Sequence, residues 1–167
     1  RRELAWMKQE FETIYRAYIE ANSYWVQATE YKEKGRYLEA AQLFEKTVEA
    51  EQAGLKPRLV NLATALNQAG YCYQEINHYD KALNYLLQAL DLNRKSGQEA
   101  GVAANLTNIG AAYRAKGQYD KALKYYEQAL KIAEEIGDSK SARRHITNIG
   151  IIYKNLGNYS KALEYYE

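Results

Sequence analysis

Carboxamide side chains recur at a constant interval along this chain of 167 residues. They are Gln68, Asn108 and Asn148, and the step from the first to the second equals the step from the second to the third. A carboxamide offers both a donor and an acceptor, so it can pair with the backbone of an extended peptide without reading its sequence. The spacing therefore predicts a row of side chains that binds a polypeptide. The alternative is a solvated polar face, or amides that bond within their own array.

Basic residues gather around the later amides and add a charge preference. They are Arg114, Lys140, Arg143, Arg144 and Lys154. Cations placed beside a peptide-binding row favour a ligand with an acidic segment.

Candidates for catalysis are few. Cys72, the single cysteine, is predicted to point inward from a helix, and His78 lies beyond that helix in a turn, so we interpret Cys72 as structural rather than nucleophilic. His145 has no Cys, Asp or His at ligand spacing, which argues against a metal. No phosphate loop, acid dyad or serine triad stands out. We expect no enzyme activity, metal or cofactor in this stretch, and an attached catalytic domain in a longer protein stays open.

The composition restricts the class of partner. Lys and Arg number 23 against 21 Asp and Glu, a net charge of +2, which is too small to indicate nucleic-acid binding. No apolar run reaches the roughly 18 residues of a membrane span, and one cysteine fits a reducing compartment. We therefore expect a cytoplasmic protein without nucleic-acid or membrane partners. The missing initiator Met and a last repeat that stops midway indicate a fragment.

The elements that position these residues are internal repeats. Three similar stretches span 69–83, 109–123 and 149–163 in exact register, and a fainter copy begins near Tyr31. A period of roughly 40 residues is typical of a solenoid, in which each unit buries its apolar face against its neighbours. Two extra residues near Pro57 fit a surface turn between units.

Each unit reads as a helical hairpin. Apolar residues at helical spacing predict one helix over 98–116 and a second over 119–136. A left-handed turn between them suits glycine or asparagine, which occur there at Gly35, Asn77, Gly117 and Gly157. Glycines inside the first helices indicate close helix crossings, so we predict that Gly70, Gly110 and Gly150 face Ala82, Ala122 and Ala162. The recurrent tyrosines are expected to be packing groups: Tyr73, Tyr79, Tyr113, Tyr119, Tyr153 and Tyr159.

At these positions the chain resembles the tetratricopeptide repeat (TPR) family. The residues that carry the resemblance are Leu106, Ile109, Gly110, Tyr113, Gly117, Tyr119, Ala122, Tyr126 and Ala129. This longer-period form is similar to Pins/LGN-type adaptors and to bacterial TPR signalling proteins, including TPR-CHAT proteins. The resemblance implies an all-α, right-handed α-solenoid of helical hairpins, the TPR superhelix, whose first helices line a concave groove.

By the same resemblance, Asn108 and Asn148 are expected to hold a peptide in that groove. The full predicted peptide-binding set is Asn67, Gln68, Tyr71, Asn108, Arg114, Arg144, Asn148 and Lys154. The family's clamp for chaperone tails needs a Lys and Asn pair where this chain has Trp25 and Thr29, or Asn67 and Tyr71 one unit on, so that ligand is disfavoured.

The predicted organisation has five parts. Residues 1–21 form a capping or preceding-unit helix, followed by a degenerate unit at 22–61, units at 62–101 and 102–141, and a truncated unit at 142–167. An apolar seam at coiled-coil spacing, comprising Leu4, Met7, Phe11, Ile14, Tyr18, Ala21 and Trp25, either packs on the array or dimerises.

Three functions stay open at the level of sequence. We favour a non-enzymatic module that binds a peptide or helical segment of a partner protein in the concave groove. The alternatives are a regulatory or sensor array of a larger effector enzyme, for example a CHAT-type protease, and a scaffold that self-associates through its solenoid ends or its N-terminal helix.

Overall fold

The computed structural model describes residues 2–53 and 59–167, with side chains described for residues 9–52 and 59–167. These residues form eight helices and no strand. In chain order the helices are α1 (Arg2–Glu33), α2 (Tyr37–Ala53), α3 (Leu59–Glu75), α4 (Tyr79–Lys95), α5 (Glu99–Ala115), α6 (Tyr119–Glu135), α7 (Ser139–Asn155) and α8 (Tyr159–Glu164). The predicted surface turn around Pro57 lies outside the described residues.

The turns within hairpins have the left-handed geometry that the sequence predicts. The φ angles are 72° at Gly35, 62° at Asn77, 71° at Gly117 and 74° at Gly157. After α5, the Gln118 amide donates to the Tyr113 carbonyl at 2.9 Å and the Gly117 amide donates to the Arg114 carbonyl at 2.9 Å. This paired pattern closes the helix and requires positive φ at Gly117.

The helices pack in sequence to form an all-α solenoid. Each contacts the next along the chain, and the first helices α3 and α5 also contact each other directly. The core is a succession of small clusters, such as the one that Phe44, Cys72, Tyr73 and Ala82 share. Because α3 and α5 lie side by side, the polar residues on them meet across hairpins.

The close helix crossings exist, but at all three sites the atom nearest the glycine belongs to a residue other than the predicted alanine. A Cβ on Gly110 would lie 3.0 Å from the Tyr126 ring, and one on Gly150 would lie 2.6 Å from the Tyr166 ring. At Gly70 the nearest atom is Leu86 Cγ at 2.7 Å, and the carbonyl of Ala82 follows at 3.1 Å. The residue one turn after each alanine therefore covers the glycine, since it reaches back across the crossing.

The N-terminal seam divides within one continuous helix. Ala21 is buried, and Trp25 packs edge-to-face on Phe44 with ring centroids 5.2 Å apart. Phe11 is 67% exposed and Tyr18 is 48% exposed. Ile14 is exposed as well, and the side chains of Leu4 and Met7 lie outside the described residues.

The tyrosines predicted to pack do so with one exception. Tyr73 is buried, and Tyr79, Tyr113, Tyr119 and Tyr153 are half-buried. Tyr159, the first residue of α8, is 66% exposed, so the prediction is wrong there.

Candidate functional site

Four asparagines form a hydrogen-bonded chain where α3, α4 and α5 meet. The Oδ1 atom of Asn67 accepts from the side-chain nitrogens of Asn105 at 2.9 Å and Asn108 at 3.0 Å. Asn93 donates in turn to Oδ1 of Asn105 at 2.6 Å. Asn105 is fully buried and Asn93 nearly so. A buried amide without partners would be costly, so this chain is how the fold accommodates polar groups between its hairpins.

Local backbone features allow the chain to form. Asn105 and Asn108 are three residues apart and share one face of α5, beside Asn67 on α3. Gly101 opens the space for Asn93, because a Cβ at that position would lie 2.7 Å from Asn93 Cγ. Sequence reasoning missed Asn93 and Asn105. The available signal was the polar residue at 105 among the apolar positions Val102, Leu106 and Ile109 of α5.

Gln68 and Tyr71 lie on α3 as Asn67 does, and they contact α1. Lys32, near the end of α1, donates to Oε1 of Gln68 at 3.0 Å, and its Nζ lies 5.7 Å from the centre of the Tyr71 ring. Tyr71 also meets Tyr37 edge-to-face at 6.3 Å. Burial, followed by the nearby Glu75 carboxylate, raises the pKa of the Tyr71 hydroxyl. Lys32 is therefore a further basic residue of this face that the sequence argument did not include.

Two of the predicted cations, Arg114 and Arg144, both act on the buried residue Tyr126. Burial raises the pKa of Tyr126, and the positive charges of Arg114 and then Arg144 oppose that rise. Arg114 is half-buried and Arg144 is exposed. These guanidinium groups come from α5 and α7, so two helices place positive charge near Tyr126 of α6.

The remaining predicted residues, Asn148 and Lys154, lie on α7. Asn148 is half-buried, and its side chain makes no hydrogen bond within the described part of the chain. Lys154 is exposed. The eight predicted residues thus fall on α3, α5 and α7, but Asn67, Gln68 and Asn108 already engage partners within the array.

His145 of α7 takes the place that Asn105 takes in α5, one repeat earlier. The ring is fully buried, and neither ring nitrogen has a hydrogen-bond partner among the described residues. Burial lowers the pKa of His145, Arg144 lowers it further, and Asp138 opposes them. The imidazole is therefore held in its neutral form.

A second polar cluster lies between the second helices α2 and α4. One carboxylate oxygen of Glu45 accepts from the Tyr73 hydroxyl at 2.9 Å and the Tyr85 hydroxyl at 2.5 Å, and lies 2.7 Å from Lys81 Nζ. Burial alone would raise the pKa of Glu45, but bonds from Lys81, Tyr85 and Tyr73 together lower it. We call this arrangement the carboxylate cluster. The repeat pattern does not predict it, because Glu45 and Tyr85 belong to different hairpins.

Cys72 is buried and unpaired, as the sequence predicts for its inward position. Burial raises the pKa of its thiol to about 11. A thiol with that pKa is almost entirely protonated near neutral pH, so it lacks the thiolate that a nucleophile needs.

The family follows from the repeated hairpins and from a match to a family model. The tetratricopeptide repeat model matches residues 20–95 and 101–167. The chain belongs to the tetratricopeptide repeat family. None of its described helices combines the length and apolar character that a membrane span requires, and a search of curated protein sequences returned no match.

Solved structures similar to this tetratricopeptide chain come from several kinds of protein. Aspartyl phosphate phosphatase F from Bacillus subtilis aligns over 87% of this chain and 38% of its own, with TM-score 0.80 and 19% identity. The Rap conjugation gene regulator of plasmid pLS20, solved with the Phr* peptide, aligns over 95% and 43%, with TM-score 0.77 and 21% identity. TPR-like repeats of a Podosopora anserina putative kinesin light chain align over 86% and 70%, with TM-score 0.74 and 21% identity. At these identities the similarity shows the fold, and the chain spans less than half of the first two proteins.

Proposed function

We propose that this tetratricopeptide array is a non-enzymatic module that holds an extended segment of a partner protein along α3, α5 and α7. We call this surface the first-helix face. The unpaired thiol of Cys72 supports a reducing, cytoplasmic setting. The Rap regulator, a structural neighbour, was solved with a peptide bound, which supports peptide binding as a use of this fold.

The observation that carries the proposal is the way in which Asn67 and Asn108 divide their hydrogen-bonding groups. Asn67 uses its oxygen twice, for Asn105 and Asn108, which leaves its side-chain nitrogen to donate. Asn108 uses its nitrogen, which leaves its oxygen to accept. A peptide backbone offers one carbonyl and one amide per residue, so this fixed pair matches both groups of an extended strand. Because the amides are already held in place, less side-chain entropy is lost on binding.

Basic residues extend the same surface beyond the asparagines. Arg114 on α5 and Arg144 on α7 both lower the pKa of Tyr126, and Lys154 follows on α7. None of the three forms an ion pair with a carboxylate in the described part of the chain. An acidic segment of the partner would lie beside them, with its backbone held by the amides.

The test begins with peptides selected on the wild-type chain from a displayed random library. Affinity for a selected peptide is then measured by isothermal titration calorimetry. We expect Asn148→Ala to weaken binding about tenfold, since a lost pair of backbone hydrogen bonds contributes about 1.4 kcal/mol. Asn148 has no partner to lose within the described array, so the melting temperature should stay unchanged.

A matched control is Asn84→Ala, which removes an exposed amide from the second helix α4. It should leave the affinity as it is. If Asn148→Ala and Asn108→Ala together bind the selected peptides as tightly as the wild-type chain does, the first-helix face is not the binding surface.

A further inference from the structure

The positions of the carboxylate cluster recur at every interface between hairpins. Tyr73, Tyr85 and Lys81 correspond, one repeat on, to Tyr113, Tyr125 and Lys121, and then to Tyr153, Tyr165 and Lys161. The paired rings stack at 5.8, 5.5 and 5.6 Å between centroids, in that order. Each lysine lies over the first ring of its pair, at 4.1, 5.2 and 5.1 Å. The two tyrosines and the lysine that donate to Glu45 in the cluster therefore have counterparts at three interfaces.

The accepting carboxylate of Glu45 is not repeated at every interface. Glu45 is the ninth residue of α2, and the ninth residues of α4 and α6 are Leu87 and Glu127. Burial, Tyr153 and then Glu127 raise the pKa of Tyr165. Within the described residues Glu127 makes no hydrogen bond or ion pair with Tyr153, Tyr165 or Lys161, so the complete cluster forms at the first interface. Only the middle interface has a leucine where the other two have glutamate.

The middle interface forms a cleft of about 430 Å³ between α4 and α6, on the side of the second helices. Its walls include Leu87, Arg94, Tyr113, Lys121, Lys124 and Tyr125, and no acidic residue lines it. Arg94, Lys121 and Lys124 make no ion pair with a carboxylate in the described part of the chain. The hydroxyls of Tyr113 and Tyr125 likewise have no hydrogen-bond partner there. Three positive charges and two hydroxyl donors thus surround this cleft.

We propose that the α4–α6 cleft binds a glutamate side chain of a partner protein, at a site separate from the first-helix face. The protein itself contains the template for this complex, because Glu45 receives two tyrosine hydroxyls and a lysine in the equivalent place. A partner glutamate would accept from Tyr113 and Tyr125 and lie beside Lys121, as Glu45 does with their counterparts. Arg94 and Lys124 add charge that the first interface lacks.

The neighbouring surface limits the ligand to a short acidic element. Beyond Arg94 the groove between α4 and α6 continues past Glu99 and Glu135. Lys131 lies 3.8 Å from Glu135 and offsets its charge, whereas the Glu99 carboxylate, which makes no ion pair within the described residues, would repel a second acidic side chain of the ligand. A single glutamate flanked by neutral residues therefore fits the groove better than an acidic run does.

The experiment uses NMR of the whole chain carrying ¹³C-labelled tyrosine. The probe is the peptide acetyl-Gly-Ser-Glu-Ser-Gly-amide, and the same peptide with glutamine is the neutral control. We expect saturable shifts of the Tyr113 and Tyr125 ring signals with the glutamate peptide, and at least tenfold weaker binding of the glutamine peptide. Equal responses to the two peptides, or no saturable shift, would overturn the proposal.

Two variants exchange the glutamate and the leucine that distinguish the first interface from the middle one. Leu87→Glu supplies an internal carboxylate and should weaken peptide binding at least tenfold, whereas Glu45→Leu should create a new saturable response at Tyr73 and Tyr85. Leu87 is 41% exposed, so a glutamate there is compatible with folding. Lys121→Gln, which should also weaken binding, tests the same site without adding a charge. If neither Leu87→Glu nor Lys121→Gln changes the affinity, the cleft is not the site.

Two further arms separate this site from other anion sites. Arg114→Gln combined with Lys154→Gln alters the first-helix face and should leave the Tyr125 response unchanged. This holds whether or not the two changes alter the affinity of peptides selected for that face. Inorganic phosphate should compete no better than acetate at equal concentration. Stronger competition by phosphate would replace the glutamate assignment with a phosphate site.

Discussion

Two boundaries between successive hairpins, that of α3 and α4 with α5 and that of α5 and α6 with α7, occupy equivalent places and handle polarity in opposite ways. We call them the first contact and the second contact. The corresponding residues, one repeat apart, are Asn67 and Thr107, Asn93 and Ala133, Gly101 and Ser141, Asn105 and His145, and Asn108 and Asn148. At the first contact the amides bond to one another. At the second, a fully buried imidazole has no hydrogen-bond partner within the described residues.

The difference teaches that the repeat specifies the backbone more tightly than it specifies polar pairing. Both contacts have the same 17-residue helices and the same turns. In a solenoid the stability is approximately a sum over units and their interfaces, so unequal interfaces give unequal local stability. We therefore expect the second contact to open at a lower free energy than the first contact.

The largest expected effect comes from breaking the amide chain at its centre. Asn105→Ala removes two hydrogen bonds and leaves the Asn93 side chain buried without its acceptor. Orphaned buried groups cost about 1–3 kcal/mol each, so we expect the free energy of unfolding to fall by about 3 kcal/mol. Urea denaturation followed by circular dichroism measures this directly.

Asn108→Ala serves as the control, since it removes the same residue type from the same helix but only one bond at a half-buried site. It should cost about 1 kcal/mol. An Asn105→Ala variant no less stable than Asn108→Ala would show that the buried chain contributes little.

A smaller effect is expected from filling the space beside Asn93. The Cβ of Gly101→Ala would come within 2.7 to 2.8 Å of three Asn93 side-chain atoms, which must move away from Asn105. Alanine is favoured over glycine in a helix by up to about 1 kcal/mol, so the net loss of stability should be about 1 kcal/mol. Thermal unfolding is a sufficient measurement.

The same substitution should change sign when Asn93 is absent. Asn93→Ala copies Ala133 of the second contact, and Ser141 there already carries a Cβ where α5 has Gly101. In the Asn93→Ala background we expect Gly101→Ala to stabilise the chain by up to about 1 kcal/mol. A destabilisation of equal size in both backgrounds would mean that Asn93 is not what the glycine accommodates.

The hairpins and their turns were predictable because they rest on local chemistry that each repeat restates. Gly117 and Asn77 occupy turns that need positive φ, and the observed angles agree. The identity of the side chain that packs on Gly110 was not predictable in the same way. Which residue of the second helix reaches the glycine depends on the crossing geometry, and Tyr126 reaches it from one turn beyond Ala122.

The polar site was predictable only in part. The spacing of Asn108 and Asn148 pointed to one face, but the bond from Asn108 to Asn67 joins two neighbouring hairpins and depends on how closely α3 and α5 pack. For the same reason Glu45 of α2 bonds to Tyr85 of α4, which belongs to the next hairpin along the chain. Contacts between repeats depend on the distance and angle at which neighbouring hairpins pack. The period of the sequence does not specify that geometry.

The smallest effect, and the one that sharpens the comparison most, is a pH dependence confined to the second contact. The pKa of His145 is lowered in the folded chain, chiefly by burial and then by Arg144. The unfolded chain therefore takes up a proton at a higher pH than the folded chain does. Stability should be fully present above about pH 6.5, the ordinary histidine pKa, and should fall as the pH drops from there toward the lowered folded pKa.

His145→Phe isolates this contribution, since it keeps a ring of similar shape and removes both unbonded nitrogens. At pH 7.5 the variant should be as stable as the wild-type chain or up to about 1 kcal/mol more stable. Between pH 6.5 and 5 it should lose less stability than the wild-type chain, because each unit of pKa difference corresponds to about 1.4 kcal/mol. Glu45 does not contribute to the slope between pH 6.5 and 5, since its pKa is lowered from 4.5. Asn105 does not titrate, so the first contact should show no such slope, and an equal slope in His145→Phe would assign the effect to another group.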